Sequence, residues 1–306
     1  MIRPFGEEDV APSVAMFNEI AQATYGVDDT SEAELRLVLS EPAIEPERDM
    51  RVIERDGTIA GYADVFDQNG WHTRYWCDIR VHSERGDSGV AESLVAWCEE
   101  RARSNAQNGA FLRTYVPTEY RFLHEVLHLR GFDVIRASYR MAIDLDAEHE
   151  PEWPAGISVR SMQPGEERAV YDVNEECFAD HWEHVPEPYE EWAHWTVNRD
   201  DFDPGLWFLA LDGDEIAGYS LCLPHDGQQD TGWVGNLGVR RPWRRRGLGE
   251  ALLKLSFAEF RRRGFKRAGL GVDAENLTGA VRLYERAGMH LARRSNCYEK
   301  RLGDVA

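Results

Sequence analysis

The sequence predicts two tandem α+β domains, each a mixed, mostly antiparallel sheet flanked by helices. Three observations predict it: the length of the chain, an internal repeat at about 157 residues, and the same succession of hairpin, strand, turn and helix in both repeats. At 306 residues the chain is long enough for two domains of ordinary size with a buried core in each. The repeat is legible directly. Ile59-Ala60-Gly61-Tyr62 recurs as Ile216-Ala217-Gly218-Tyr219, each after an Asp-Gly turn (Asp56-Gly57 and Asp212-Gly213). Val81, Gly89, Glu92 and Leu94 fall on Val239, Gly247, Glu250 and Leu252, and Arg130-Gly131-Phe132 falls on Ala287-Gly288-Met289. Matches in the same order at nearly constant offset place one domain at 1–145, a linker at 146–155 rich in Pro, Glu and Asp, and a second domain at 156–306.

Within the second repeat, Trp207 to Leu211, a Gly-Asp turn and Ile216 to Leu223 read as a β-hairpin, which Arg51 to Phe66 repeats in the first. Trp233 to Val239 is a further strand. From Gly247, the apolar residues Leu248, Leu252 and Leu255 at four- and three-residue spacing start a helix that runs to Arg263 and stops at Gly264. Ala268 to Asp273 alternates as a strand, Thr278 to Ala287 is helical and closes at Gly288, and Cys297 to Leu302 forms a last strand.

Charge is unevenly spread. Fifty-five acidic and thirty-five basic side chains leave a net charge of -20, too acidic for a general binder of nucleic acid or anionic membrane. Residues 236–306 invert the balance, with seventeen basic and seven acidic side chains, a local field suited to a small polyanion. The five cysteines are widely spaced, with no ligand-type Cys/His spacing, so neither a disulfide framework nor a metal site is expected. The N-terminal MIRPFGEEDV lacks a signal-peptide profile and no apolar run approaches the roughly 18 residues that span a bilayer, which predicts a cytoplasmic protein. Asn276-Leu277-Thr278 is a glycosylation sequon without consequence in that compartment.

The most informative segment is Val239-Arg240-Arg241-Pro242-Trp243-Arg244-Arg245-Arg246-Gly247-Leu248-Gly249-Glu250, between the strand and the long helix. A helix N-terminus presents unpaired N–H groups and partial positive charge, and glycines let an anion reach the backbone without meeting Cβ atoms. Arg244-x-x-Gly247-x-Gly249, with Asn276 and Leu283-Tyr284-Glu285-Arg286-Ala287-Gly288-Met289 downstream, resembles the two motifs of the GNAT acyltransferase superfamily in their usual order. The resemblance covers 233–302 clearly, the hairpin at 206–223 moderately and the first repeat weakly.

The resemblance implies an acetyl-CoA donor whose pyrophosphate rests on the backbone of Arg245, Arg246, Gly247, Leu248, Gly249 and Glu250, with Arg244 adding charge. It further implies that Leu237 and Val239 pair with the pantetheine arm, that an N–H near Val239 polarises the thioester carbonyl, and that Tyr284 is the acid that protonates the departing thiolate. Asn276 either bonds the pantetheine arm or caps the helix beginning near Thr278. Where many members carry a strand Glu as base, this chain has Trp233. Asp180, His181, Glu183 and His184 are therefore the candidates for the base, with Asp180 and Glu183 the carboxylates expected to serve. The acidic, aromatic segment around them suits a small cationic amine through charge and cation–π contact.

In the first repeat Gly86, Glu119 and Leu127 stand where Arg244, Asn276 and Tyr284 do, so that copy is expected to be degenerate. The arrangement resembles the tandem architecture of the mycothiol synthases. The strand Glu of those enzymes is the residue replaced by Trp233, so the resemblance does not extend to their acceptor. The sequence thus points to an N-acetyltransferase acting by direct transfer on a primary amine, as a monomer or homodimer. A non-catalytic acyl-CoA-binding protein is the alternative that the missing carboxylate motivates.

Overall fold

The computed structural model describes residues 1–41, 43–182, 184–224, 230–276 and 279–303, which fall into two compact units. One unit takes Met1–Ser138 and the C-terminal segment from Arg294, and the other takes the described chain from Tyr139 to Arg293.

The first unit opens with β1 (Ile2–Pro4), α1 (Val10–Tyr25), α2 (Glu32–Leu39) and α3 (Pro46–Asp49). The hairpin follows as β2 (Met50–Arg55) and β3 (Thr58–Asp64), then β4 (Phe66–Asp67), β5 (Arg74–Trp76) and β6 (Ile79–Val81). It continues through α4 (Ser88–Arg103), β7 (Phe111–Pro117), α5 (Arg121–Leu129) and the start of β8 (Asp133–Asp144). Val90, Leu94, Cys98 and Ala102 recur every four residues on α4, are fully buried or nearly so, and form one core with Leu112 and Leu127. Phe17 and Ile20 of α1 enclose a second core with Val52 and Tyr62.

The second unit contains β9 (Ile157–Ser161), α6 (Glu167–Phe178), α7 (Tyr189–Trp195), β10 (Trp207–Asp212), β11 (Glu215–Pro224) and β12 (Thr231–Val239). Helix α8 (Leu248–Arg262), β13 (Arg267–Asp273), α9 (Ala280–Arg286) and β14 (His290–Arg301) complete the chain order. Strands β9, β10, β11 and β12 are successive antiparallel neighbours, whereas β12 and β13 run parallel. Leu248, Leu252, Phe257 and Phe260 of α8 cover one face of this sheet with Phe208 and Ala217, and Val170, Cys177 and Trp192 cover the other with Trp207, Tyr219 and Leu221. The α+β class and the tandem repeat expected from the sequence are both present.

The unit boundaries differ from the expected 1–145 and 156–306, because the last strands of the two repeats are exchanged. Residues 139–144 of β8 belong to the second unit, where Leu145 N–H donates to the Lys266 carbonyl at 2.8 Å. In the first unit, Ser295 to Arg301 of β14 pair antiparallel with Pro117 to Phe111 of β7. The final strand therefore begins at His290, seven residues before the expected Cys297. The expected start of the last helix at Thr278, and two residues of the sequon, lie outside the described residues. Among the described residues no helix is long and apolar enough to cross a membrane, and no cluster of potential metal ligands occurs.

At the end of β3, the Asp64 carboxyl accepts from the Tyr62 hydroxyl at 2.9 Å and from the Asp78 N–H at 3.0 Å. Burial, reinforced by the Asp78 charge, pushes its pKa up to about 7. A raised carboxyl pKa contributes stability while the folded state holds the proton, and that contribution is lost as pH rises from the unfolded value through the folded one. Asp64→Asn, which cannot ionise, should therefore gain stability relative to the parent chain as pH rises from 5 to 8. Paired thermal melts check this, and a difference constant with pH refutes it.

Candidate functional site

Strands β12 and β13 stay paired only from Thr231↔Arg267 to Trp233↔Gly269 and then part. Gly269 is the residue that lets the Trp233 ring lie at this junction, since a Cβ there would come within 2.8 Å of it. Beyond the parting, β12 keeps β11 as its neighbour up to Val239, with an irregularity between Leu221 and Cys222 that leaves Gly235 as the extra residue. The Arg240 N–H donates to the Ala217 carbonyl at 3.0 Å. Because an antiparallel strand turns successive N–H groups to opposite sides, those of Leu237 and Val239 point away from β11 into the gap.

A cavity of about 910 Å³ opens there. Its walls are Leu237 to Val239, the turn leading into α8, the C-terminal end of α6 and the start of α9. The turn is built to leave backbone N–H groups open. Arg245 and Gly247 both have positive φ (61° and 87°), and Gly247, at the cap position of α8, supplies no side-chain cap. A Cβ at Gly247 would meet no atom within 4 Å, so the backbone is approachable at this point. Arg245 is exposed and makes no ion pair among the described residues. Arg244 is differently placed: its Nε donates to the Val239 carbonyl at 2.9 Å and its Nη1 lies 3.3 Å from Asp180 Oδ2. The Glu250 carboxylate, a poor neighbour for an anion, is compensated by Lys254 at 3.0 Å and Arg286 at 3.6 Å.

Leu237, Val239, Arg244, Arg245, Gly247, Leu248, Gly249, Glu250 and Tyr284 thus meet in one cavity. Arg246 and Asn276 are not in its wall. Arg246 Nη2 lies 3.5 Å from the Ala155 carbonyl, and the Asn276 N–H donates to the Asp273 carbonyl at 3.1 Å. The cap of α9 is Gly279, in left-handed conformation, and not Asn276.

Tyr284 is 8% exposed, and burial pushes its phenol up to about 12, so the hydroxyl keeps its proton at neutral pH. Asp180 lines the cavity, but Arg241 and Arg244 hold its carboxylate, and those hydrogen bonds lower its pKa. A carboxylate so committed is a weaker proton acceptor than a free one. Glu183 lies outside the described residues. His184 pairs with Glu175 at 3.2 Å. His181, by contrast, lines the cavity, packs on Phe178 at 4.3 Å between ring centroids, and makes no side-chain hydrogen bond among the described residues. Burial first, then His184, lowers its pKa and favours the neutral imidazole. Cys177, Phe178 and Trp243 also line the cavity. Nothing in their spacing marked them, since they come from the end of α6 and from a turn whose place is set by the Trp243 indole donating to Asp212 at 2.8 Å.

The first unit builds the corresponding turn differently. Gly86 is hemmed in, with the position of a Cβ 2.3 Å from Val81, so no arginine fits where the second repeat has Arg244. The N–H groups of Glu84 and Arg85 donate to His82 Nδ1 at 3.1 Å. Asp87 caps α4, accepting from Val90 N–H at 2.9 Å while Arg55 holds it through two bonds of 2.8 and 3.0 Å. An internal carboxylate occupies the place an anion would take. Leu127, counterpart of Tyr284, is fully buried in the core.

Two strands that part beside an uncapped helix in the second repeat, with a carboxylate-capped helix at the matching place in the first, define a tandem acyltransferase fold. The chain matches the acetyltransferase (GNAT) family over residues 14–122 and 168–289, one segment in each repeat, and it belongs to that family as a GNAT-type N-acetyltransferase. It is 31% identical to a mycothiol acetyltransferase of Geodermatophilus obscurus over 284 residues, covering 88% of this chain and 87% of the relative. A mycothiol acetyltransferase of Streptomyces scabiei is 34% identical over 75% of this chain and 72% of its own. Among solved structures, a GCN5-related N-acetyltransferase from Sphaerobacter thermophilus superposes with a TM-score of 0.83 at 31% identity, covering 100% of this chain and 96% of that one. A tandem GNAT protein from the clavulanic acid biosynthesis pathway shares the fold at a TM-score of 0.78 and 17% identity, over 100% and 99% of the two chains.

Because Asp180 competes for Arg241 and Arg244, its removal should free both for an incoming anion. Asp180→Asn is expected to bind inorganic pyrophosphate several-fold more tightly than the parent chain in calorimetry at low salt. Weaker or unchanged binding would show that the carboxylate helps to shape the site instead.

Proposed function

We propose that the second unit transfers an acetyl group from acetyl-CoA directly to the primary amine of a small acceptor, with His181 as proton acceptor and Tyr284 as proton donor. One observation carries this reading: a single cavity gathers the uncapped glycine turn, the outward N–H groups of Leu237 and Val239, a neutral imidazole and a protonated phenol. Acetyl-CoA suits this wall, because the orphan N–H groups at the start of α8, with Arg245 beside them, favour its pyrophosphate. The edge of β12 offers main-chain groups to an extended pantetheine arm, although the Val239 carbonyl is already engaged by Arg244.

In this reading the roles of the chain are distinct. The N–H groups at Leu237 and Val239 polarise the acyl carbonyl. His181 takes the proton that the acceptor must lose before its amine can attack, replacing the strand carboxylate whose position Trp233 occupies. Tyr284, fully protonated, supplies the proton that the leaving sulfur needs. Mycothiol acetylation, the activity in the relatives' names, is one form of amine acetylation. In this chain, however, the strand position is an indole, with the Arg140 guanidinium 4.6 Å from its ring centroid.

Tyr284→Phe should reduce kcat by about a hundredfold or more while leaving the acetyl-CoA Kd nearly unchanged. Gly247→Glu, which forces a side chain onto a left-handed residue and sets a carboxylate at the helix terminus, should abolish donor binding. Calorimetry and a free-thiol release assay separate the two effects, and equal loss of kcat and affinity in Tyr284→Phe would reduce that residue to packing. The acid limb of the kcat/KM profile should titrate below about 6.5, the ordinary histidine value, and vanish in His181→Gln. An unchanged limb in that variant would remove His181 from the mechanism.

A further inference from the structure

A second cavity, of about 280 Å³, lies in the same unit and is not used by the donor. Its described walls come from the end of α7, the segment leading to β10, the ends of β11, and Gly235 and Asn236 of β12. Gly235 and Asn236 immediately precede Leu237, where the donor cavity begins, so the two spaces adjoin along one strand that advances about 3.3 Å per residue.

The chemistry of this wall is specific. Trp192, Trp195, Phe202 and Trp207 supply four aromatic rings, with Phe202 edge-on to Trp207 at 5.0 Å and Trp192 tilted to it at 5.8 Å. Leu221, Cys222 and Leu223 continue the apolar surface. Of the ionic side chains at the rim, which include Glu187, Arg199 grips Asp201 through bonds of 2.7 and 2.8 Å, and Asp203 pairs with Arg263. The Trp192 indole N–H, on a side chain 2% exposed, has no acceptor among the described residues. The aromatic part of such a wall welcomes a flat apolar group. Its volume falls just below the usual range for small-molecule sites, about 300–1,000 Å³.

We propose that this tryptophan-lined cavity is the acceptor pocket and that it selects a small primary amine bearing an uncharged aromatic ring over a hydroxylated amino sugar. The proposal rests on the acetyl-transfer reading above and names its substrate class. The ring fills the space between Trp195, Phe202 and Trp207, and a short arm carries the amine past Asn236 toward Leu237. Asn236 is held for this by its Nδ2 donating to Asn174 Oδ1 at 2.8 Å, an atom that also accepts from the Tyr219 hydroxyl at 2.9 Å.

The test is equilibrium binding of 2-phenylethylamine, n-butylamine and glucosamine to the full chain saturated with CoA, with thiol release from acetyl-CoA scored separately. The aromatic amine is expected to bind about tenfold or more tightly than the other two. Trp195→Ala should erase that preference, and Trp195→Phe should restore most of it. The melting temperature and the CoA affinity of both variants should stay at parent values. Glucosamine or butylamine binding as tightly as 2-phenylethylamine to the parent chain overturns the proposal, as does an aromatic preference that survives Trp195→Ala. Thiol release with glucosamine, without binding of the aromatic amine, overturns the pocket and upholds acetyl transfer. Tight, Trp195-dependent binding of the aromatic amine without thiol release upholds the pocket and refutes the transfer.

Discussion

The structure of the second unit depends on one unmade ladder. After Trp233 and Gly269 the parallel pairing of β12 and β13 stops, and the N–H groups of Leu237 and Val239 are turned into space that no strand fills. Backbone polar groups that are neither paired nor hydrated are costly, so a gap of this kind persists only where water or a ligand can supply the missing partners. Everything at the site is arranged around that gap. The glycine turn brings a helix N-terminus to one end, Tyr284 and His181 stand along the sides, and the extra residue at Gly235 redirects β12 where the aromatic cavity begins.

Electrostatics in this unit is a matter of local pairing more than of net charge. Several carboxylates that precede residue 236 are drawn to arginines after it: Glu176 to Arg240, Asp180 to Arg241 and Arg244, Asp203 to Arg263. Beside the glycine turn, Arg245 and Arg246 are exposed and in no ion pair among the described residues, next to a backbone terminus of positive polarity. In the first unit Asp87 is at once the helix cap of α4 and the counter-charge of Arg55.

Much of this was legible in the sequence, for a physical reason: the features that declared themselves are local. Hairpins are announced by Asp-Gly turns between apolar runs, α8 by its spacing of leucines, and the anion turn by Gly247 and Gly249 within a run of arginines. Tyr284 could be placed by its motif because a helix fixes the positions of neighbours along one face. What stayed hidden is set by contacts distant in sequence. Asp180 looked like a free carboxylate until Arg241 and Arg244, some sixty positions away, closed on it. His181 gained standing over Asp180 only through its burial beside the cavity. Asn276 has the residue type of a helix cap, yet the cap fell to Gly279, a choice made by backbone geometry.

The exchange of the last strands changes the timetable of folding as the chain leaves the ribosome. Strand β7 of the first unit, at Phe111–Pro117, waits for Ser295–Arg301, which follow it in the chain only after β13 and α9. The first unit cannot finish its sheet until β14 has been made, and the edge of β7 stays open until then. The second unit receives its borrowed strand early, in residues 139–144, and can close as soon as β13 emerges. Order of synthesis and order of completion are therefore inverted, so that the repeat carrying the larger cavity is the first to become whole.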